Sequence, residues 1–199
     1  MAYLPDYIIK REVKAGRIII DPYNENDVGQ NSVDMHLGPF LKTYRDYALD
    51  VRKDPESINF VIPEEGLELH PGRLYLGSTW ERAGSDFYVP SIDGTSTVGR
   101  YGIVVHQTAS KGSVGFKRNW TLEISVQQTT KIYAGMKIAQ VYFEQILSQP
   151  ENLYDGDYAD QTAEPPVPKN LMRPGKFLPY ETFAQAIEKS KKVKIIDLK

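Results

Sequence analysis

Through most of this chain the apolar positions come in short, largely β-branched runs broken by glycine and proline, the pattern of strands and tight turns. Residues 5–15 are the exception. Ile8, Ile9 and Val13 recur there between charges, and Gly16 follows as a stop signal, which predicts one short helix with a glycine at C′. Residues 17–20 are β-branched and end at Asp21-Pro22, and residues 32–38 alternate small or polar with apolar side chains; each predicts a strand. Residues 67–79 have the form strand, Pro71-Gly72 turn, strand, and residues 133–137 form a second turn unit ahead of a strand over 138–143. Over residues 120–126 strict alternation puts Trp120, Leu122, Ile124 and Val126 on one face and Thr121, Glu123 and Ser125 on the other. The pattern predicts a mainly β chain, a distorted barrel or jelly-roll, preceded by a short N-terminal helix.

The pattern changes near the end. Residues 154–161 are acidic and aromatic, and residues 164–168 form a stiff, extended proline-rich linker. Residues 180–192 carry Phe183, Ala184, Ala186 and Ile187 as the apolar face of a helix, and residues 193–196 have the make-up of a final strand. The expected organisation is therefore a β domain over 1–162 and an extension over 163–199, with no internal repeat.

Composition narrows the chemistry. A chain of 199 residues can bury a proper core in one domain. A net charge of −2 with interspersed signs argues against a duplex nucleic acid or a polybasic membrane surface as partner. No apolar run is long enough to span a bilayer, and the N-terminus lacks the form of a signal peptide. There is no cysteine, hence no disulfide, thiol nucleophile or thiolate metal site, and a cytoplasmic location is expected. His36, His70 and His106 are scattered without metal-ligand spacing, so no zinc site is expected. His106 follows an apolar run and reads as a core or interface residue; Asp34 reads as a structural acceptor, and Trp80 and Trp120 as core or interface residues.

Two features carry candidate chemistry. Residues 94–102 read as a hydroxyl-rich, glycine-flanked loop, in which Ser96, Thr97 and Arg100 suit an anion such as phosphate. The plain alternative is a polar turn with a surface arginine. Glu123 is a carboxylate within an apolar strand run. Periodicity leaves two positions open for it, on a solvated polar face or in a pocket as a proton shuttle.

The residues also carry a resemblance. The opening pattern Ile8…Gly16-Arg17-Ile18-Ile19-Ile20-Asp21-Pro22…Ser32-Val33-Asp34-Met35-His36-Leu37-Gly38 is its first part. Its centre is Gly94-x-Ser96-Thr97-x-x-Arg100-x-Gly102, His106-x-Thr108-Ala109, Gly115-Phe116 and Thr121-Leu122-Glu123, and it closes on Gly135-Met136-x-Ile138 and Phe143-Glu144. Together, over residues 5–161, these resemble the dCTP deaminase branch of the dCTP deaminase/dUTPase family. The resemblance implies a homotrimer of dUTPase-like barrels with active sites between subunits. Ser96, Thr97 and Arg100 would face the triphosphate of a nucleotide held largely by the neighbouring subunit. Glu123 would be general base and acid, with Ser96 and the Ala109 carbonyl holding the attacking water. Ser113, Phe116 and Tyr154 would line the substrate, and Gln161 would close over it. Magnesium would accompany the triphosphate without protein side-chain ligands, and His106 would sit near the trimer centre.

Three positions depart from the family pattern. Thr95 stands where the family has arginine, Ser113 where it has aspartate, and Asp157 where it has lysine. In the dUTPase branch that aspartate activates the water that cleaves the phosphate chain. Lys111, Lys117 and Arg118 are the nearby cations that can compensate. The expected activity is zinc-free deamination of a cytosine deoxynucleotide, dCTP to dUTP and ammonia, with a substrate of fewer phosphates or a modified base as a variant. The alternatives are a dUTP diphosphatase, alone or combined with deamination, and a nucleotide-binding protein without catalysis.

Overall fold

The structure is a computed structural model that describes residues 2–169. The helix expected over 180–192 and the strand over 193–196 lie outside the described residues.

The chain opens with helix α1 (Asp6–Lys14), which has Asp6 in its first turn and Arg11 and Lys14 in its last, the arrangement that complements the helix dipole. Gly16 follows at φ +70° and turns the chain into β1 (Ile18–Asp21). On the inner face of α1, Glu12 is fully buried and surrounded by donors. Arg17 Nε and Nη2, Arg11 Nε and the Tyr88 hydroxyl all donate to its carboxylate. The Arg17 bond above all holds Glu12 down to about 2, far below the ordinary carboxylate range.

Ten further strands follow among the described residues. They are β2 (Val33–His36), β3 (Phe40–Tyr44), β4 (Ser57–Val61), β5 (Leu67–Leu69), β6 (Tyr75–Ser85), β7 (Val89–Gly94), β8 (Ile103–Val104), β9 (Lys117–Val126), β10 (Thr130–Ile132) and β11 (Lys137–Glu144). A second helix, α2 (Ser96–Arg100), lies between β7 and β8. One sheet runs β4-β3-β6-β9-β8 with β1 added to β6; a second runs β2-β11-β7; β5 and β10 form a third. Every paired strand is antiparallel. The sheets curl around one core that includes Ile9, Ile18, Leu41, Leu122, Ile124, Val141 and Phe143. This is the mainly β, barrel-like architecture that the short-strand pattern predicts. No helix among the described residues is long and apolar enough to cross a membrane.

The β6–β9 ladder positions the site, and it carries an irregularity between Ser78 and Arg82. The Asn119 side chain donates to the carbonyls of Thr79 and Trp80 at 3.0 and 2.9 Å, and the Trp120 amide donates to the Thr79 hydroxyl at 2.9 Å. Polar groups that the shifted register would orphan are therefore paired. The shift separates the two tryptophans: Trp120 is buried, whereas Trp80 is 51% exposed and is no part of the core. The strands flanking Pro71-Gly72 do not form a hairpin with each other; β5 pairs with β10, and β6 pairs with β1, β3 and β9.

Candidate active site

β9 sets the site. Its core face carries Trp120, Leu122, Ile124 and Val126, all buried, so Thr121, Glu123 and Ser125 are turned to the other side, each half-buried. That side is not open solvent. A cavity of about 280 Å³ lies there, walled by Glu123 and Thr121 of β9, Tyr44 of β3 and Leu76 of β6. The loop between β8 and β9 supplies Ala109 and Ser113, and the C-terminal segment supplies Tyr154, Tyr158 and Gln161. Of the two positions that periodicity leaves open for Glu123, the structure selects the pocket.

The C-terminal segment is held against β9 by a specific seam. Gly115 has φ +99°, and a Cβ there would stand 2.6 Å from the Tyr154 nitrogen and 2.8 Å from Leu153 Cβ. Only glycine allows this approach, and it lets the Tyr154 amide donate to the Val114 carbonyl at 2.9 Å. Phe116 then meets Trp120 and Tyr154 edge-on, with ring centroids at 5.2 and 5.7 Å. Farther on, Arg118 Nε donates to the Ala159 carbonyl at 2.7 Å, Gln161 Nε2 to the Asn119 carbonyl, and the Ser78 hydroxyl to the Ala163 carbonyl. Lys42 and Glu164 form an ion pair at 2.9 Å.

Glu123 has a fixed environment. The Gln107 amide donates to Glu123 Oε2 at 2.8 Å, while the Gln107 side-chain nitrogen donates to the Glu123 carbonyl at 3.1 Å and to Ser125 Oγ at 3.2 Å. The Tyr44 hydroxyl is pushed above its ordinary value, first by burial and then by the charge of Glu123.

The structure therefore brings six of the expected residues, Glu123, Ala109, Ser113, Phe116, Tyr154 and Gln161, to one cavity. Ser96, Thr97 and Arg100 are exposed and lie outside it. Their segment is not a loop but the short helix α2. The Thr95 hydroxyl caps it by accepting from the Val98 amide at 3.3 Å, and Val98 anchors it in the core. Thr95 thus serves as a cap. Arg100 Nη1 donates back to the Ser96 carbonyl at 3.2 Å. His106 Nε2 lies 2.8 Å from Asp93 Oδ1, and Asp34 accepts from Lys137 and Gln140, the structural role its sequence setting predicts. Of the three nearby cations, Lys111 lines the cavity and pairs with Glu144 at 3.1 Å. Lys117 pairs with Asp86, and Arg118 is committed to the C-terminal segment.

Sequence reasoning missed Tyr44, Tyr158 and Gln107. Tyr44 reaches the cavity from a distant segment and leaves no local signal; Tyr158 lies within the aromatic 154–161 stretch, whose composition is the available signal; Gln107 sits as the variable residue inside His106-x-Thr108-Ala109, where a motif reading passes over it. Chemically, a carboxylate fixed by an amide, a ring of hydroxyls and carbonyls and flat aromatic walls suit a planar polar ring undergoing proton transfer.

The family described as dCTP deaminase-like matches residues 3–146. The dUMP-forming dCTP deaminase of Clostridium acetobutylicum is 40% identical over 141 residues, covering 71% of this chain and 82% of that protein. The protein of the same name from Leptospira biflexa is 40% identical over 149 residues, covering 74% and 86%. Among solved structures, the 2'-deoxycytidine 5'-triphosphate deaminase from Agrobacterium tumefaciens shares the fold, with a TM-score of 0.56, 19% identity, and coverage of 71% of this chain and 47% of that one.

Proposed function

The chain belongs to the dCTP deaminase-like family, and on that premise we propose that it hydrolyses the exocyclic amine of dCTP, giving dUTP and ammonia. The observation that carries this reading is the position of Glu123: a carboxylate at a cavity wall shared with Ala109, anchored through one oxygen. Glu123 takes a proton from water as the oxygen attacks C4 of the cytosine ring, and delivers it to N3. Glu123 then takes the remaining hydroxyl proton from the tetrahedral carbon and passes it to the amine; the C4 carbonyl forms as the C–N bond breaks, ammonia leaves, one water is consumed and the carboxylate is regenerated. Phe116 and Tyr154 offer the ring apolar surface, and Gln161 closes the cavity from the C-terminal side.

The phosphates need more positive charge than Lys111, already paired with Glu144, brings to this cavity. Arg100, Ser96 and Thr97 stand exposed outside the cavity of their own chain, which supports a homotrimer in which they serve a neighbour's nucleotide. Magnesium would ride on the phosphate oxygens. Among the described residues no three His, Asp or Glu side chains converge to hold an ion, and Glu123 Oε2 is taken by an amide. Bound there, the ion would neutralise phosphate charge.

Ser113 supports dUTP as the product. It lines the cavity where the family resemblance calls for aspartate, and a neutral hydroxyl cannot replace a carboxylate as base for a second water. A second reading, dUMP formation, is favoured by the names of the relatives. Incubation with dCTP and magnesium, with nucleotides separated by chromatography and ammonia counted, tests both. dUTP matched one-to-one by ammonia supports the first reading. dUMP with pyrophosphate establishes the second. Absence of both products refutes deamination.

A further inference from the structure

Beyond Val104 the β8–β9 ladder stops, its last pair being Val104 with Ser125. Past that point Gln107 bonds β9 in three ways at once: its amide to Glu123 Oε2, and its side-chain nitrogen to the Glu123 carbonyl and Ser125 Oγ. The side chain takes over the backbone contact that a continued strand would make, and the backbone amide turns to the carboxylate instead. We propose that Gln107 is the positioning residue for Glu123: its side chain clamps β9 so that its amide fixes one carboxylate oxygen and sets how the other meets water and substrate.

This inference rests on the assignment of Glu123 as proton shuttle. A bond donated to one carboxylate oxygen restricts the rotation of the group and fixes where the other oxygen stands. That oxygen takes the proton from water, so the clamp acts on the catalytic step and not on nucleotide affinity. Tyr44 from β3 feels the charge of Glu123, and Tyr158 from the C-terminal segment and Lys111 from the β8–β9 loop line the same cavity. Each is left in place by a change at Gln107, which is itself exposed and outside the core.

The test compares Gln107→Ala, which removes the clamp, and Gln107→Pro, which removes the amide proton, with the wild type and Glu123→Gln. The expected result for Gln107→Ala is kcat lower by about tenfold with KM within about twofold. Gln107→Pro should lose more than Gln107→Ala in kcat. Should Gln107→Pro fail to fold, Gln107→Ala decides alone. A Gln107→Ala enzyme with unchanged kcat, or with a lowered melting temperature alone, overturns the proposal. Glu123→Gln separates the two failures: if that variant turns over normally, the shuttle assignment has failed and not merely the clamp.

Discussion

The Thr121 hydroxyl donates to the side-chain carbonyl of Gln161 across 3.4 Å. This contact joins the strand that bears Glu123 to the segment that closes the cavity. Because the Gln161 nitrogen also donates to the Asn119 carbonyl, its amide spans two residues of β9. Replacing Gln161 with alanine removes the closure and leaves Glu123 in place. KM for dCTP should rise about fivefold, the equivalent of one hydrogen bond, with kcat changed less. Initial-rate kinetics check it, and an unchanged KM would remove Gln161 from the site.

Arg100 is exposed on α2, outside the cavity of its own chain. If it serves a neighbour's nucleotide, Arg100→Ala and Glu123→Gln are each nearly inactive alone, but an equal mixture of refolded subunits regains about a quarter of wild-type activity, the fraction of sites that receive both intact residues. Mixing after denaturation and refolding measures it. Absence of recovery from well-folded mixtures argues for sites built within one chain.

Much of the fold was legible because it is written locally. The helical spacing of residues 5–15 with Gly16, and the alternation in β9, each follow from one short window. β3, β4, β7, β8 and β10 were not anticipated: they are two to six residues long, and β7 carries Pro90 within it. Their strand character comes from partners far along the chain. The site divides the same way. Glu123, Ala109 and Phe116 lie in one motif-bearing stretch, whereas Tyr44 arrives through the β3–β6 and β6–β9 pairings. The hydroxyl-rich stretch 94–102 reads as a loop from its flanking glycines and small polar residues, whereas Thr95 caps a short helix there.

Ser113 sits at the cavity wall without a carboxylate. Ser113→Asp restores the family residue and should add dUMP and pyrophosphate to the products while leaving ammonia release intact. Chromatography of a dUTP incubation reads this directly. A wild type that already forms dUMP would show that hydrolysis uses another base.

Glu12 tests the scaffold. Held at about 2 by Arg17, Arg11 and Tyr88, it is charged in the folded protein at pH values where it would be protonated in the unfolded chain. Its contribution is complete above the unfolded value of 4.5 and is lost as pH falls toward 2. Glu12→Gln should lower stability at pH 7 by about 2 kcal/mol and flatten the acid side of the stability profile. Urea denaturation between neutral and acid pH measures both, and equal slopes for mutant and wild type would contradict it.

The most direct test of the central claim is ammonia release from dCTP by wild type and Glu123→Gln, with nucleotide binding measured on the same samples. Glutamine keeps the shape of the side chain and cannot accept the proton from water. Deamination should fall by at least about a thousandfold while dCTP still binds within a few fold of wild type. A Glu123→Gln enzyme that still releases ammonia near the wild-type rate would contradict the account.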